Sequence, residues 1–375
     1  MITGDLVSRA CDALLVQPAP FARAAGDGDD GAVDAIVVPA ARPVDGLEEA
    51  IGLAARTDAF LLVVCSHAAA PSAAATAIAR AGHERALVVD LTRAWRHPLL
   101  DLSTGRAPEA SWGWPRRDLS VKRNLGLLLA RLVGWRRLFF LDDDVRDVGV
   151  ARLRRAGGLL DRCAAVGLRA TAFPDNSVVR HADRLAGGTP DVFISGGALA
   201  VECGAADAFF PAVYGEDWFF LFPALARGRV AALGAVSQPE HDPFDPPRAA
   251  REEFGDLLAE SVLDELLVGG SLARGGEARW ARAIAARDRF LADVLRRLGD
   301  RPPAAAAASL DAARARLSAI SPVACAGFIS AWRADLETWE RRVTGLPSGL
   351  SPPEAAAWLG LPVLAPADEL AIRCP

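Results

Sequence analysis

The most chemically informative segment of this chain is a run of three carboxylates, Asp142, Asp143 and Asp144. They directly follow an apolar run, Leu138 to Leu141, which has the length and composition of a buried strand. Unpaired carboxylates are costly to bury, so the three should lie at the exposed carboxyl end of that strand, where ligands bind in open α/β sheets. Alternate side chains of an extended segment point the same way, so Asp142 and Asp144 can hold one hard divalent cation. A solvated turn with an Asp that caps the next helix is the alternative.

A second polar group, Lys122, Arg123 and Asn124, begins a predicted helix just before this strand. Ser120 can cap that helix, and its apolar face continues to about Val133. Cations are disfavoured at a helix N-terminus, whereas phosphate is favoured there, so Lys122 and Arg123 indicate a phosphate site. A solvated basic first turn is the alternative reading of the same residues.

A third group combines a carboxylate pair with paired glycines further along the chain. Glu216 and Asp217 begin a predicted helix, and a carboxylate in reach of a hydroxyl can act as its general base. Acidic residues also stabilise a helix N-terminus without any catalytic role, so capping remains the alternative. Gly196 and Gly197 interrupt a predicted strand, and their missing side chains would let the backbone approach a ligand closely.

Composition narrows the class of protein. The chain has 375 residues, of which 51% are apolar, enough for one large domain or two ordinary ones. A net charge of −5, from 42 basic and 47 acidic residues, disfavours general nucleic-acid binding. The six cysteines are far apart and form no CxxC pair, as expected for reduced thiols in the cytoplasm. With no signal-like segment and no long apolar run, we expect a soluble cytoplasmic protein without an integral membrane segment.

The predicted elements divide the chain into four parts. Residues 1–30 form an N-terminal extension, and 31–245 alternate strands with helices, which predicts an α/β fold with a mainly parallel sheet and helices on both faces. Residues 246–345 form a helical C-terminal subdomain, and 346–375 form an irregular tail with one short helix. The strands are predicted near 34–40, 60–65, 86–91, 138–141, 169–173, 192–201 and 230–236, and the helices near 47–54, 72–81, 120–133, 150–166, 248–267, 275–298, 307–319 and 326–343.

The order of these motifs resembles that of the GT-A glycosyltransferases, most closely the family-2 group. The resemblance covers roughly Asp34 to His241, and the motifs are Pro39 to Arg42 after the first strand, the Lys-Arg-Asn helix start, the DxD-like Asp run, the paired glycines and the Glu-Asp pair. It implies a Rossmann-like nucleotide-diphospho-sugar transferase fold. The implied activity is that of a hexosyltransferase, which moves one sugar from a nucleotide-sugar donor to an acceptor hydroxyl with Mn²⁺ or Mg²⁺ bound.

The resemblance also implies roles for individual residues. Asp217 would be the general base of an inverting reaction, with Glu216 as the alternative. The metal ligands would be Asp144, Asp142 and His241. The acceptor would contact Gly196, Gly197 and Trp218, and the donor would contact Pro39, Ala40, Arg42, Asp90, Lys122, Arg123, Asn124, Asp142 and Asp143.

Two departures from the family pattern refine this hypothesis. The second strand ends in Val64-Cys-Ser-His67, where the family commonly carries an acidic residue that reads the base, and Asp90 can serve instead. The Gln-x-x-Arg-Trp motif and membrane helices of processive synthases are absent, which favours single, non-processive addition. The alternatives are a sugar-phosphate nucleotidyltransferase, although Pro39 to Pro43 lacks its glycine-rich loop, and a non-catalytic nucleotide-sugar-binding module. The motifs specify neither the sugar, nor the acceptor, nor the oligomeric state.

Overall fold

The computed structural model describes Leu15 and residues 31–92, 95–113, 118–170, 177–189, 194–205, 207–267 and 276–364. The rest of the predicted N-terminal extension, the end of the fifth predicted strand (171–173), the start of the sixth (192–193) and the last eleven residues of the predicted tail lie outside this range. Within the described residues, no helix is both long and apolar enough to cross a bilayer.

An eight-stranded sheet forms the centre of the described structure. Its order is β7-β5-β6-β4-β1-β2-β3-β8, and only β6 and β8 run against the other strands. The predicted α/β class with a mainly parallel sheet is therefore confirmed. The strands are β1 (Ala35–Val38), β2 (Phe60–Cys65), β3 (Ala86–Asp90), β4 (Arg137–Leu141), β5 (Ala165–Ala170), β6 (Ala198–Glu202), β7 (Val230–Val236) and β8 (Val363–Leu364).

Helices cover both faces of this sheet, as predicted. Alternate residues of β4 point to opposite faces, so Phe140 packs into one apolar cluster and Phe139 into the other. The helices are α1 (Glu48–Thr57), α2 (Pro71–Arg80), α3 (Pro108–Ser111), α4 (Leu119–Val133), α5 (Val150–Leu159), α6 (Val178–Leu185), α7 (Glu216–Ala226), α8 (Pro246–Leu267), α9 (Gly276–Arg297), α10 (Ala304–Ala319), α11 (Pro322–Thr344) and α12 (Pro352–Trp358).

The C-terminal helices share an apolar core with one face of the sheet. The Phe219 ring of α7 meets Trp332 of α11 with centroids 5.1 Å apart, and Phe254 of α8 meets Phe328 at 5.7 Å. Aromatic edge-to-face contacts of this kind add to the stabilisation that burial supplies. Helix α8 is thereby held beside the start of α7, where the predicted Glu-Asp pair lies.

Several local predictions were wrong. The sixth strand, predicted from 192, begins only at Ala198, because the paired glycines form a turn before it. The helix predicted for 150–166 ends at Leu159, and the next strand begins at Ala165, so the apolar residues that seemed to extend the helix belong to β5. The short strand β8, predicted as part of an irregular tail, pairs antiparallel with β3 and covers the edge of the sheet. Ser120 does not cap α4, because its hydroxyl donates to the Pro211 carbonyl at 2.7 Å.

Candidate active site

The carboxylate run lies where the parallel strands β1 and β4 end side by side. Asp143 is buried and accepts hydrogen bonds from the backbone N–H groups of Ala41 and Arg42, each at 2.8 Å. It also accepts one from Nη1 of Arg42 at 2.5 Å. The Asp143 carboxylate therefore binds the loop after β1 to the end of β4.

Asp142 and Asp144 flank this anchor and are more accessible, with 21% and 18% of their side chains exposed. Each already has a positively charged partner. Nη2 of Arg42 lies 2.8 Å from Asp144, and Nη2 of Arg123 lies 3.0 Å from Asp142. The two predicted metal ligands thus bind different guanidinium groups in this structure.

Arg123, predicted to contact the donor, is a buried link between the strand end and α7. Its Nη1 donates to Glu216 at 2.6 Å while Nη2 donates to Asp142, and its guanidinium lies over the Phe210 ring, 5.6 Å from the centroid. Burial alone would lower the pKa of Arg123, but the neighbouring carboxylates raise it, so the guanidinium stays charged. A side chain at Gly196 would place its Cβ 2.4 Å from Nη1 of Arg123, which explains the glycine there.

The two neighbours of Arg123 on α4 have separate roles. Nζ of Lys122 donates to the Ala40 carbonyl at 2.8 Å, beside Pro39 of the β1 loop, and burial lowers the pKa of this ammonium. Asn124 exchanges two hydrogen bonds of 2.8 Å with the backbone of Phe210. Lys122 therefore lies in the wall of the cleft described below, whereas the Asn124 amide is engaged in holding the segment before α7.

The predicted catalytic pair begins α7 directly after Gly215, which has a left-handed backbone with φ of 74°. Asp217 is 9% exposed, and its two oxygens accept the N–H groups of Gly196 at 2.7 Å and Trp218 at 2.9 Å. Asp217 thus ties the paired-glycine turn to α7, and Glu216 is bound by the buried guanidinium described above. Gly197 adjoins the same turn, since a Cβ there would lie 3.2 Å from Oδ2 of Asp142.

The remaining predicted residues lie further apart. His241 follows β7 and is exposed, with its ring 6.4 Å from that of His181. Asp90 turns back on its own loop and accepts hydrogen bonds from the N–H and hydroxyl of Thr92. Over the described ranges, no cluster of three or more His, Cys, Asp or Glu side chains is arranged to hold a metal. The role of His241 as a third ligand stays a prediction.

The donor set at the strand end nevertheless suits a hard cation. Asp142 and Asp144 offer carboxylate oxygens, which Mg²⁺ and Mn²⁺ prefer. The guanidinium of Arg42 forms ion pairs with both Asp143 and Asp144. A positive group of the protein itself therefore already binds the Asp144 carboxylate. Since 57% of the Arg42 side chain is exposed, it can move away without leaving a buried cavity.

A cleft of about 440 Å³ is lined by many of the predicted residues, namely Pro39, Arg42, Lys122, Arg123, Asp142, Asp143, Glu216, Asp217 and Trp218, whereas Asp144 lies next to the lining and not in it. One wall is formed by the β1 loop, the carboxylate run and the start of α4, and the other by α6, α7 and α8. Several cleft residues were not predicted from the sequence, namely Asp118, Ser177, Arg180, Ser195, Arg248, Glu252, Asp256 and Glu260. The four-residue spacing of the last three carboxylates marks a single helix face and is the signal that could have found them.

The acidic face of α8 is held by buried arginines. Arg287 of α9 donates to Glu253, Asp256 and Glu260 at 2.8 to 3.0 Å. Burial raises the pKa of Glu253 to about 7 despite the opposing effect of Arg287. Burial also raises the pKa of Glu252 to about 7. This network joins α9 to the helix that lines the cleft, so it fixes the wall opposite the carboxylate run.

Comparisons with known proteins give limited similarity. No protein-family model and no curated protein matches the chain. One similar solved structure is the mannosyltransferase PcManGT from Pyrobaculum calidifontis in complex with GDP-Man and Mn²⁺. The two proteins are 15% identical and superpose with a TM-score of 0.47. The match covers 89% of this chain and 94% of the mannosyltransferase chain.

Proposed function

We propose that this protein is a GT-A-type glycosyltransferase that moves one sugar from a nucleoside diphosphate sugar to an acceptor hydroxyl. One observation carries the proposal. Chemically complementary groups from four separate sequence segments line a single cleft, namely the β1 loop, the start of α4, the carboxylate run and the Glu-Asp pair. The reaction needs positive charge to bind the diphosphate, carboxylates to bind a cation, and a base to deprotonate the hydroxyl nucleophile. The cleft contains basic residues, the carboxylate run and the Glu-Asp pair, which can meet these three needs.

The diphosphate of the donor would bind beside the carboxylate run. Asp144 and Asp142 would hold a divalent cation, which when bound neutralises charge on the departing diphosphate as a Lewis acid. Lys122 in the cleft wall and Arg42 at its mouth add positive charge on the same side of the cleft. Asp143 keeps the β1 loop in place, so its contribution to donor binding would be to position Arg42.

Asp217 is the better candidate for the general base of the pair. Glu216 accepts a hydrogen bond of 2.6 Å from the buried guanidinium of Arg123, so this carboxylate is engaged in an ion pair. Asp217 is held by the backbone N–H groups of Gly196 and Trp218, and it lines the cleft in which an acceptor hydroxyl would bind. The Asp217 carboxylate can therefore accept a proton from an acceptor hydroxyl while its backbone contacts hold it still. Direct displacement with this base would invert the anomeric centre, and each binding event would add one sugar.

The experiment is a turnover assay with a panel of UDP-, GDP-, ADP- and TDP-sugars and Mn²⁺, with and without candidate acceptors. Asp217→Asn should lower turnover by about 10²–10⁴-fold, the usual contribution of a positioned base, with donor affinity nearly unchanged. Asp207→Asn, at a half-buried carboxylate outside the cleft lining, is the matched control. A product that retains the donor's anomeric configuration contradicts the base assignment. Pyrophosphate release from a nucleoside triphosphate would favour a nucleotidyltransferase, and donor binding without any turnover would favour a binding module.

A further inference from the structure

The wall of the cleft opposite the carboxylate run consists mainly of charged side chains that pair with one another. Those that line the cleft are Ser177 and Arg180 at the start of α6 and Arg248, Glu252, Asp256 and Glu260 of α8. An acyl chain or an aromatic ring placed against these charges would remove water from them without replacing its hydrogen bonds, which is unfavourable. The wall therefore suits a polar ligand.

Glu260 keeps one carboxylate oxygen for such a ligand. Nε of Arg180 and Nη1 of Arg287 donate to Oε1 of Glu260 at 2.9 and 2.8 Å, and Nη2 of Arg180 lies 2.8 Å from the same oxygen. Among the residues that the structure describes, none donates to Oε2. Since 19% of the Glu260 side chain is exposed and the residue lines the cleft, Oε2 can accept a hydrogen bond from a ligand.

The two guanidinium groups also fix the charge and the position of Glu260. Burial alone would raise the pKa of this carboxyl group, but Arg180 and Arg287 lower it below its usual value, so the carboxylate stays ionised. Both arginines are buried, and the guanidinium of Arg180 lies over the Phe290 ring, 4.8 Å from its centroid. A carboxylate held in this way binds a ligand without losing much side-chain freedom.

The packing of α8 against the start of α7 brings Glu260 near the proposed base. A Cβ on Gly215 would lie 3.3 Å from Cβ of Ala259. Gly215 directly precedes the Glu-Asp pair, and Ala259 directly precedes Glu260. Asp256 lies on the same helix face as Glu260, about 6 Å away along the axis, which is close to the width of a sugar ring. Asp217 and these two carboxylates therefore border one region of the cleft.

We propose that the acceptor is a sugar and that Glu260 binds one of its hydroxyl groups, an inference that rests on the glycosyltransferase function proposed above. A sugar hydroxyl both donates and accepts hydrogen bonds, and this wall offers carboxylate acceptors beside guanidinium donors. Each carboxylate of the wall already faces an arginine, since Glu252 pairs with Arg248, and Asp256 and Glu260 pair with Arg287. The local charge is close to balanced, so a neutral polyol suits the wall better than an ammonium or a phosphate group.

Glu260 acts here as a specificity-determining residue, and the chemistry takes place at a different hydroxyl. With one hydroxyl bound by Glu260, a neighbouring hydroxyl of the same sugar lies at Asp217. Its oxygen forms the new bond to the anomeric carbon of the donor, and its proton passes to the Asp217 carboxylate. The bond from that carbon to the diphosphate breaks, and the diphosphate leaves with the electron pair.

The test measures transfer with Mn²⁺ and the nucleotide sugar that the donor panel identifies, followed by release of the nucleoside diphosphate. The acceptors are methyl glycosides of hexoses and pentoses, the corresponding disaccharide glycosides, octanol and phenol. We expect transfer to glycosides and none to octanol or phenol, because the charged wall cannot cover an apolar group favourably. The disaccharide arm shows whether a single sugar or the end of a glycan is preferred.

Glu260→Gln should raise the KM of the preferred glycoside by about 10- to 100-fold, the range expected when a hydrogen bond to a charged group is lost. Donor affinity and kcat should change little. Glu265→Gln is the matched control, because Glu265 lies on the same helix, is 18% exposed and pairs with Arg279 at 3.2 Å, but lies outside the cleft lining. If Glu260→Gln proves unstable in thermal unfolding, Glu260→Asp keeps the charge, withdraws the oxygen by one methylene and should also raise this KM.

Monodeoxy versions of the preferred glycoside separate binding from a structural role. Removal of the hydroxyl that Glu260 binds should weaken the acceptor about 10- to 100-fold in the unaltered protein. The same removal should have little further effect in Glu260→Gln, because the contact is already lost. A residue that only supports the wall would instead weaken every deoxy glycoside by the same factor.

Transfer to octanol or phenol but to no glycoside would overturn the sugar acceptor, and so would donor binding without transfer to any glycoside. Additive losses between Glu260→Gln and every deoxy glycoside, or an equal rise of KM in Glu265→Gln, would overturn the role of Glu260. If no nucleotide sugar binds even with Mn²⁺, the glycosyltransferase function itself fails. That result is distinguishable from the others because it needs no acceptor.

Discussion

Gly196→Ala offers the sharpest test of how the site is assembled. The added Cβ would lie 2.4 Å from Nη1, 2.5 Å from Cζ and 2.9 Å from Nη2 of Arg123, all closer than atoms can approach. The guanidinium cannot step aside easily, because Glu216 and Asp142 hold it on opposite nitrogens. Its side chain is only 3% exposed, so no open space receives it.

The expected loss follows from these contacts. Overpacking a buried site costs about 1–3 kcal/mol, and shifting the guanidinium weakens at least one charge-assisted hydrogen bond worth about 1.5–3 kcal/mol. A shift of the guanidinium relieves part of the overpacking but weakens the hydrogen bond, so the two losses do not add in full. We therefore expect the free energy of unfolding to fall by about 2–4 kcal/mol. The same shift moves Asp142, so Mn²⁺-dependent donor binding should weaken as well.

Chemical denaturation measures the first effect, and calorimetry with Mn²⁺ and a nucleoside diphosphate measures the second. Gly327→Ala is the control, since Gly327 is an exposed helical residue with no atom within 4 Å of an added Cβ. That change should stabilise the protein by about 0.5–1 kcal/mol, because alanine is the better helix former. A Gly196→Ala protein as stable as the unaltered one would refute the packing of Arg123 against this glycine.

Three further predictions follow from individual contacts. Arg42→Ala should tighten Mn²⁺ binding about two- to fivefold, because an exposed ion pair worth about 0.2–1 kcal/mol no longer competes for Asp144. Calorimetry without nucleotide measures this affinity, and an unchanged value would contradict the prediction. Asn124→Ala should lower the unfolding free energy by about 2–3 kcal/mol in a denaturant titration through two lost hydrogen bonds to Phe210, with nucleotide affinity retained. Burial raises the pKa of Glu252 from 4.5 to about 7, so the folded protein holds a proton that the unfolded chain releases, and this residue's contribution to stability falls as pH rises through that interval. Glu252→Gln should therefore be less destabilising at pH 8 than at pH 5, and the opposite order in denaturation curves would contradict the raised pKa.

The chemistry-bearing positions of the site were largely predictable because strand ends and helix starts are local properties of the sequence. Apolar runs that end in charge predicted the edge at which Asp142 to Asp144 lie, and the parallel β1–β4 pairing brought the β1 loop beside them. The amphipathic spacing likewise predicted α4 and α8 to α11 within a few residues of their observed ends. Short-range pattern was sufficient for these elements.

The partner of each side chain was not predictable, because it depends on residues far away in the sequence. Lys122, Arg123 and Asn124 are consecutive, yet the helix turns them toward the Ala40 carbonyl, two carboxylates and the Phe210 backbone respectively. Their types suggested donor contacts for all three and phosphate binding for Lys122 and Arg123. Strand β8 was not predicted for a related reason. It has only two residues, which show no periodicity, and it forms because it pairs with the edge strand β3.

The α8 wall of the cleft was missed for a third reason. Glu252, Asp256 and Glu260 lie on a helix face that sequence patterns assign to solvent, because charged residues are seldom buried. Arg287 from the next helix pairs with Asp256 and Glu260, and Arg248 pairs with Glu252, so arginines make it possible to place these charges in the wall. A buried network of this kind becomes visible only once both helices are in place.

The central claim is that a divalent cation at the end of β4 binds a nucleoside diphosphate in this cleft. Calorimetric titration of nucleoside diphosphates into the protein, with Mn²⁺ and then with EDTA, tests it most directly. We expect binding that EDTA weakens and that Asp144→Ala reduces by at least roughly tenfold, the loss of one charged contact, with Asp161→Ala at an exposed site as the unaffected control. Affinity that is the same with Mn²⁺ and EDTA, and unchanged in Asp144→Ala, would contradict the account.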